Sequence, residues 1–336
     1  MSRAARLARN VAPPPIALLH SASGDIPSGG VAVNGRAGLV PIWMLAMLPP
    51  LFWAGNFVLA RALHTEIPPI ALSFWRWALA LLILLPFVWR GLWRQRAALR
   101  RHGALLTLFA VLGITTYNTF AYLGLQHTTA TNGVLLSSVT PVIIVALSFL
   151  LFGVALRALQ ALGVMLSLGG VVLIATEGHP QALAGLALNR GDLWILAASL
   201  DWALYSVLLR WRPAELGATV FLGAIVAIGL LPLAALYAGE LATGQRFAIT
   251  APNLAAIGYV ALFPSVLAYV FWNRAVAEMG PNRTGLYLHL MPAFGAALAI
   301  LLLGERLHVH HLVGASLIAV GIALATGRSR QRTAEI

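Results

Sequence analysis

Trp53-Ala54-x-x-x-Val58-Leu59-x-Arg61 returns 149 residues later as Trp202-Ala203-x-x-x-Val207-Leu208-x-Arg210, each copy inside an apolar segment that begins one half of the chain. Further on, Pro141, Gly153, Gly163 and Gly170 recur at a constant shift of 151 as Pro292, Gly304, Gly314 and Gly321. Leucine matches are cheap in an apolar chain, but one proline and three glycines in constant register are not. Two halves of a membrane protein that repeat each other usually hold a substrate between them, so the duplication points to a transporter.

Of the 336 residues, 60% are hydrophobic and 10% are charged, and the mean hydropathy is +0.85. That balance lies far from a soluble domain, and the solvent it implies is lipid. A hydrocarbon core about 30 Å thick needs roughly 20 apolar residues per helix. Ten such stretches are found, near 41–62, 69–89, 103–125, 128–152, 157–176, 191–210, 215–238, 252–277, 281–303 and 308–327. The short alternating segments of a β-barrel are not seen. The predicted fold is therefore all-α and integral to the membrane, with ten transmembrane helices.

The chain has no cysteine, so it offers neither disulfide nor thiolate chemistry, and its 22 basic residues are all arginine. A sequence pI near 11.4 would suit nucleic acid, but the placement of the charge argues otherwise. Arg90, Arg94, Arg96, Arg100 and Arg101 crowd the connection after the second helix, while only Arg61, Arg190, Arg246 and Arg306 fall on the opposite side. This is the positive-inside bias. It puts both termini in the cytoplasm of a multi-pass protein of the inner (plasma) membrane and leaves no need for a nucleic-acid partner. Residues 1–40 read as a mobile cytoplasmic tail, because the one apolar run, Val11–Leu19, is broken by three prolines. Arg328, Arg330 and Arg332 mark a basic cytoplasmic tail over 328–336.

Five helices per half is an odd number, so the second copy enters the membrane from the opposite side. Residues 41–176 and 191–327 then form two inverted five-helix repeats, and exchanging their conformations gives alternating access. One chain supplies both halves, which suffices for a monomer and is compatible with a homodimer.

The residues Phe52-Trp53-Ala54-Gly55-Asn56-Phe57-Val58, Pro68-Pro69, Leu72-Ser73-Phe74-Trp75-Arg76-Trp77 and Leu301-Leu302-Leu303-Gly304-Glu305-Arg306-Leu307 resemble the EamA branch of the drug/metabolite transporter superfamily. The likeness covers roughly 41–327. It implies ten helices in two units and the movement of small metabolites, often the export of amino acids. The second half ends Gly304-Glu305 where the first has Gly153-Val154, so the Gly-Glu ending stands only once.

An ionisable residue at bilayer depth costs roughly 3 kcal/mol or more and usually faces a cavity or a partner. Arg76 and Asp201 lie at such depth. Asp201 is the candidate for proton coupling; the alternatives are a structural ion pair with Arg76 or simple bonding to neighbouring polar groups. Arg76 matches an arginine that the family commonly carries there, which implies a structural role or the holding of a substrate carboxylate.

Polar and aromatic residues share helical faces, since positions three and four apart lie together. Thr115, Asn118, Tyr122 and Gln126 form one stripe and Ser265, Tyr269, Trp272 and Asn273 another; Trp53 with Asn56 and Asp201 with Tyr205 add to them. Trp53, Asn56, Arg76, Asn118, Tyr122, Tyr205, Ser265, Tyr269, Trp272 and Asn273 are taken as the substrate-binding set, against the alternative that such groups only glue helices together. These walls suit a small zwitterion with an apolar or aromatic side chain. Trp89, Trp93, Trp194 and Trp211 fit the interfacial belt.

Pro141 and Pro292, inside the fourth and ninth helices, are candidate hinges or ends of half-helices. His308-x-His310-His311 is read as surface and His289 as a helix contact, and no metal or cofactor is implied. The ten acids stand singly, without the clusters an integral-membrane enzyme needs. A transporter is preferred to that class, with an exchanger or lipid flippase as the nearer rival.

Overall fold

The structure, a computed structural model, describes residues 40–179, 181, 189–303 and 306–326. Helices α1 to α10 are Ile42–Ala62, Pro69–Arg94, Gly103–His127, Ala130–Phe152, Ala158–Ala175, Arg190–Trp211, Ala218–Ala242, Ala251–Met279, residues 281–303 and Val309–Thr326. No strand occurs among the described residues. The expected tails, apart from Val40, and the Gly304-Glu305 ending lie outside them.

Nine of the ten are long and apolar enough to cross a bilayer as single helices among the described residues. The remaining one, α9, is broken by a 3₁₀ turn at Leu286–His289 that leaves Leu290–Leu303 as a run of 14 residues. At 1.5 Å per residue, α9 as a whole still rises roughly 34 Å, enough to span. In lipid every backbone group must be satisfied within the protein, which is why these runs are helical. Polar residues appear where helices begin. At α6, Asn189 Oδ1 accepts from Asp192 N (3.0 Å) while Asp192 Oδ2 accepts from Asn189 N (2.9 Å), a reciprocal cap worth about 1 kcal/mol.

The architecture is two inverted five-helix repeats, and the duplication extends to irregularities of the backbone. Val111–Thr116 in α3 and Leu262–Leu267 in α8 are both π-helical turns, again 151 residues apart. The helical path of α4 is interrupted at Ser138 and Val139, and that of α9 at Leu286–His289. Pro141 and Pro292 sit in the first turns of the segments that follow, Thr140–Phe152 and Leu290–Leu303. Each proline therefore starts a half-helix instead of kinking a continuous one, because a first-turn proline lacks only an N–H that would have been orphaned anyway.

The two breaks are joined directly. His289 donates through Nε2 to the carbonyl of Ser138 (3.0 Å), its own counterpart at the shift of 151, and its Nδ1 meets the Ser167 hydroxyl at 2.7 Å. Both ring nitrogens are thus partnered in a buried helix contact.

The register glycines explain the tightest pairing, that of α5 with α10. A Cβ on Gly163 or Gly321 would stand 2.5 Å from the other's carbonyl oxygen, and one on Gly170 would stand 2.5 Å from that of Gly314. Only glycine lets the two backbones approach so closely. On the other flank α2 pairs with α7, and each end is tied off reciprocally. Glu240, near the end of α7, accepts from Ile70 N (3.1 Å) and Ala71 N (2.7 Å) in the first turn of α2. Gln95, just past α2, accepts from Gly217 N at the head of α7 (3.3 Å). A carboxylate at a helix N-terminus is favoured by the orphan N–H groups and the dipole.

The connection after α2 is more ordered than the sequence suggested. The helix runs to Arg94 and a short turn, Arg96–Arg101, follows. Trp89 and Trp93 are exposed with Arg90 and Arg96 over their rings at 5.3 and 5.0 Å, a pairing suited to an interfacial edge.

Candidate functional site

Arg76 is at the middle of it. On α2, Ser73, Arg76, Trp77, Ala80, Leu84 and Val88 form the buried stripe while Trp75 faces outward. Arg76 is 0% exposed. Its Nε donates to Ser265 Oγ (2.8 Å); its Nη1 lies 2.7 Å from Asn118 Oδ1, 2.5 Å from Tyr122 Oη and 3.3 Å from Asn56 Oδ1. Tyr122 in turn donates to Asn56 Oδ1 at 2.7 Å. Four residues from α1, α3 and α8 thus meet at the guanidinium that α2 supplies, and all four belong, with Arg76, to the set read from the sequence.

The network is charged and incomplete. None of its acceptors is an acid, and the ion pairs among the described residues lie on the surface, at Glu215 and Glu278. Arg76 Nη2, which carries two N–H donors, is buried with no hydrogen-bond partner, and so is Asn118 Nδ2. Both orphans are donors, so the group that would complete the site is an acceptor. Beside a guanidinium in low dielectric, the best acceptor is an anionic, planar carboxylate.

Aromatic rings wall this network. Trp53 meets Trp202 at 4.9 Å and Trp272 at 5.3 Å between centroids; Trp202 stacks on Tyr205 at 5.1 Å, and Tyr269 meets Trp77 at 4.9 Å. The Arg76 guanidinium lies 5.3 Å from the Trp77 ring and 5.6 Å from that of Tyr122. Three polar tips are bonded: Trp53 Nε1 donates to the Pro264 carbonyl (3.0 Å), Trp272 Nε1 to Ser206 Oγ (3.1 Å), and Tyr269 to the Gly113 carbonyl; Trp77 Nε1 and Trp202 Nε1 are buried without a partner. The π-helical turns supply both of those carbonyls, since a widened turn frees backbone oxygens from the helical ladder.

A cavity of about 550 Å³ opens where α4, α6 and α8 end, walled by Ser148, Phe152, Gln160, Val276 and Ala277 and rimmed by Arg210, Arg212 and Arg283. Among its lining is the buried Asn273, whose Oδ1 accepts from Tyr205 at 2.9 Å. Tyr205, bonded to Asn273, lies against Tyr269, their ring centroids 5.9 Å apart. The opposite end of the bundle is held differently. There Arg61 donates from Nη1 to the carbonyls of Leu125 (2.8 Å) and Gln126 (3.4 Å), closing α1 onto the end of α3.

The sequence-derived set thus divides. Asn56, Arg76, Asn118, Tyr122 and Ser265 form the network, Trp53, Tyr205, Tyr269 and Trp272 the wall, and Asn273 part of the cavity lining. Asp201 stands apart. It makes no ion pair with Arg76; it is half-buried beside Thr116, with Oδ2 lacking a partner. The expected α3 stripe also breaks up. The π-helical turn rotates Thr115 away, and its hydroxyl bonds the Gly229 carbonyl of α7 at 3.0 Å. Pro292 lines a separate cavity of about 280 Å³ with Ala54 and Val58 near the closed end. Trp77, Trp202 and Arg61 were not singled out as site residues from the sequence. The signal for two of them was present in the repeat itself, whose fixed letters include Trp202 and Arg61.

The chain matches the EamA-like transporter family model twice, over residues 41–176 and 189–327. It is 31% identical over 297 residues to an uncharacterized transporter of Archaeoglobus fulgidus, covering 86% of this chain and 98% of that protein. It is 27% identical over 292 residues to the uncharacterized transporter YyaM of Bacillus subtilis, covering 85% and 93%. A probable terminal-alkyne amino-acid exporter of Streptantibioticus cattleyicolor shares 28% identity over 254 residues, 73% of this chain and 79% of that protein. One crystal structure superposes with a TM-score of 0.68 at 19% identity, over 85% of this chain and 96% of that one, a likeness of fold. With both repeats matched in full and a buried polar centre between them, the chain belongs to the EamA-like transporter family.

Proposed function

We propose that this transporter is a secondary carrier that exports small carboxylate-bearing metabolites, foremost amino acids with apolar or aromatic side chains, by alternating access. The observation that carries the reading is Arg76 Nη2, a buried cationic donor without an acceptor, next to the orphaned Asn118 Nδ2. A carboxylate satisfies both, and the surrounding rings offer stacking to an aromatic side chain and a cation–π face to the ammonium. The relative named as an amino-acid exporter supports the same substrate class.

In this reading the cavity at the ends of α4, α6 and α8 faces the cytoplasm, with both termini on that side of the plasma membrane, as the arginine distribution supports. Solute enters there, passes Asn273, displaces Tyr205 and Tyr269, and binds Arg76. Release follows when the repeats exchange conformations, the half-helices beginning at Pro141 and Pro292 turning at their breaks. Asp201 couples the cycle to protons. The test is reconstitution in liposomes with a panel of amino acids, with and without an imposed pH gradient. Saturable uptake with counterflow is expected, strongest for Phe, Tyr and Leu. Transport of phosphorylated sugars with no amino acid moved would overturn the substrate reading.

A further inference from the structure

Arg61 and Arg210 hold the same place in the two repeats but are engaged differently. Arg61 is bonded to the carbonyls of Leu125 and Gln126. At the shift of 151 that relates α3 to α8, the matching acceptors for Arg210 are those of Val276 and Ala277. Arg210 is bonded to neither in this structure. It is exposed, its guanidinium 5.0 Å from the Phe152 ring, and it lines the 550 Å³ cavity together with Val276 and Ala277. One end of the bundle has its arginine latched to backbone carbonyls; the other has its arginine off the equivalent carbonyls and lining an open cavity.

The same cavity has the chemistry of an anion site. Arg210, Arg212 and Arg283 line it and no acid does. The acids nearest its walls are held elsewhere, Glu215 by His102 (2.5 Å) with Arg101 and Glu278 by Arg274 (2.8 Å). One lining amide presents a buried, unpartnered donor, Asn273 Nδ2. Positive-inside topology explains basic loops, but it requires neither a concavity lined by three guanidinium groups nor a nine-tenths-buried amide donor in its lining.

We propose that this cavity is an anion-binding vestibule whose Arg210 alternates between a solute carboxylate while the vestibule is open and the carbonyl oxygens of Val276 and Ala277 when it closes. A bound anion holds Arg210 off its latch, so the mouth stays open until the solute has moved inward to Arg76. Closing then replaces one set of acceptors by another, and the guanidinium is never left bare. The inverted repeat makes the Arg61 latch open as the Arg210 latch forms. This rests on the carrier reading for the solute's onward path, but the vestibule is testable without transport.

The chain has no cysteine, so Ala277→Cys, an exposed lining position whose carbonyl the change preserves, gives one reactive thiol in the full-length protein in nanodiscs. A cluster of like charge in a cleft raises the local concentration of counter-ions tenfold or more. Relative to a free thiol, this cysteine is expected to favour anionic sulfonatoethyl methanethiosulfonate over its cationic trimethylammonioethyl analogue by about tenfold. Benzoate, as a carboxylate probe, should slow the anionic reagent, and Arg210→Gln should remove both the preference and the protection. Equal rates for the two reagents would overturn the anion site. The latch has its own readout: Arg61→Gln, which frees the opposite end, should lower the reactivity of this cysteine severalfold, and Arg210→Gln should raise it with the neutral reagent methyl methanethiosulfonate. No change in either variant would overturn the alternation. Circular dichroism of each variant separates these outcomes from unfolding, and none of them depends on which solute is carried.

Discussion

Trp53 and Trp202, the same letter in the two repeats, meet edge to face with ring centroids 4.9 Å apart, yet only one of their indole N–H groups is bonded. Trp53 donates to the carbonyl of Pro264 in one π-helical turn. The equivalent carbonyl for Trp202 is that of Gly113, which accepts from Tyr269 instead, and Trp202 Nε1 is left without a partner. The centre of the molecule is thus duplicated in composition and unsymmetrical in bonding, as a two-state device needs to be. Trp53→Phe removes a buried hydrogen bond and Trp202→Phe does not. The first variant should therefore lose about 1 kcal/mol more unfolding stability in detergent than the second. Equal losses would mean that the asymmetry carries no energy.

Arg76 is expected to govern affinity. Lysine keeps the charge but cannot reach Ser265 and Asn118 together or present a planar fork to a carboxylate. Losing a charge-assisted contact is worth about 1.5–3 kcal/mol, and 1.4 kcal/mol is tenfold. Arg76→Lys should raise the KM for amino-acid transport by roughly tenfold or more with the protein still folded, and Arg76→Gln should abolish saturable transport. An unchanged KM in the lysine variant would show that the guanidinium holds helices and not substrate.

How much of this was legible follows from what each feature depends on. The register glycines could be read because glycine matches are scarce enough to be informative, and four of them, Gly163, Gly170, Gly314 and Gly321, prove to be the backbone contacts of α5 with α10. The Arg76 network could be read because Asn118 with Tyr122 and Arg76 itself obey ordinary helical spacing. The π-helical turns had no signal, since they add one residue per turn without a distinctive letter, and Thr115 was assigned to the wrong face for that reason. Glu240 was passed over because its partners are backbone N–H groups of α2, which no side-chain pattern reveals. Asp201 and Arg76 share a depth in the membrane, but pairing requires a shared face, which depth along two separate helices does not supply.

The α5–α10 contact gives a prediction with an internal control. A Cβ on Gly163 would press on the Gly321 carbonyl at 2.5 Å, whereas nothing lies within 4 Å of a Cβ on Gly169. Overpacking of this kind costs about 1–3 kcal/mol, while Gly→Ala in an open helix position gains up to about 1 kcal/mol. Gly163→Ala should lower the unfolding temperature in detergent, and Gly169→Ala should leave it unchanged or raise it. The reverse order would mean that the close approach is not a feature of the folded protein.

Asp201 offers the sharpest test of coupling because the structure removes one of its two structural roles, the ion pair with Arg76, and leaves only a hydrogen bond with Thr116. It has no ion pair with Arg76, and its Oδ2 is buried without a partner beside Thr116 and the π-helical turn of α3. A lone acid at that depth costs free energy in either state unless a proton or a cation comes and goes. If it carries the coupling proton, Asp201→Asn fixes the site in its neutral form, so exchange between equal pools should persist while uphill transport driven by a pH gradient is lost. The dependence of the transport rate on pH should flatten in the same variant. Substrate accumulation against its gradient by Asp201→Asn, with the profile of the unaltered protein, would remove Asp201 from the coupling step and leave it a side chain that tightens α6 against α3.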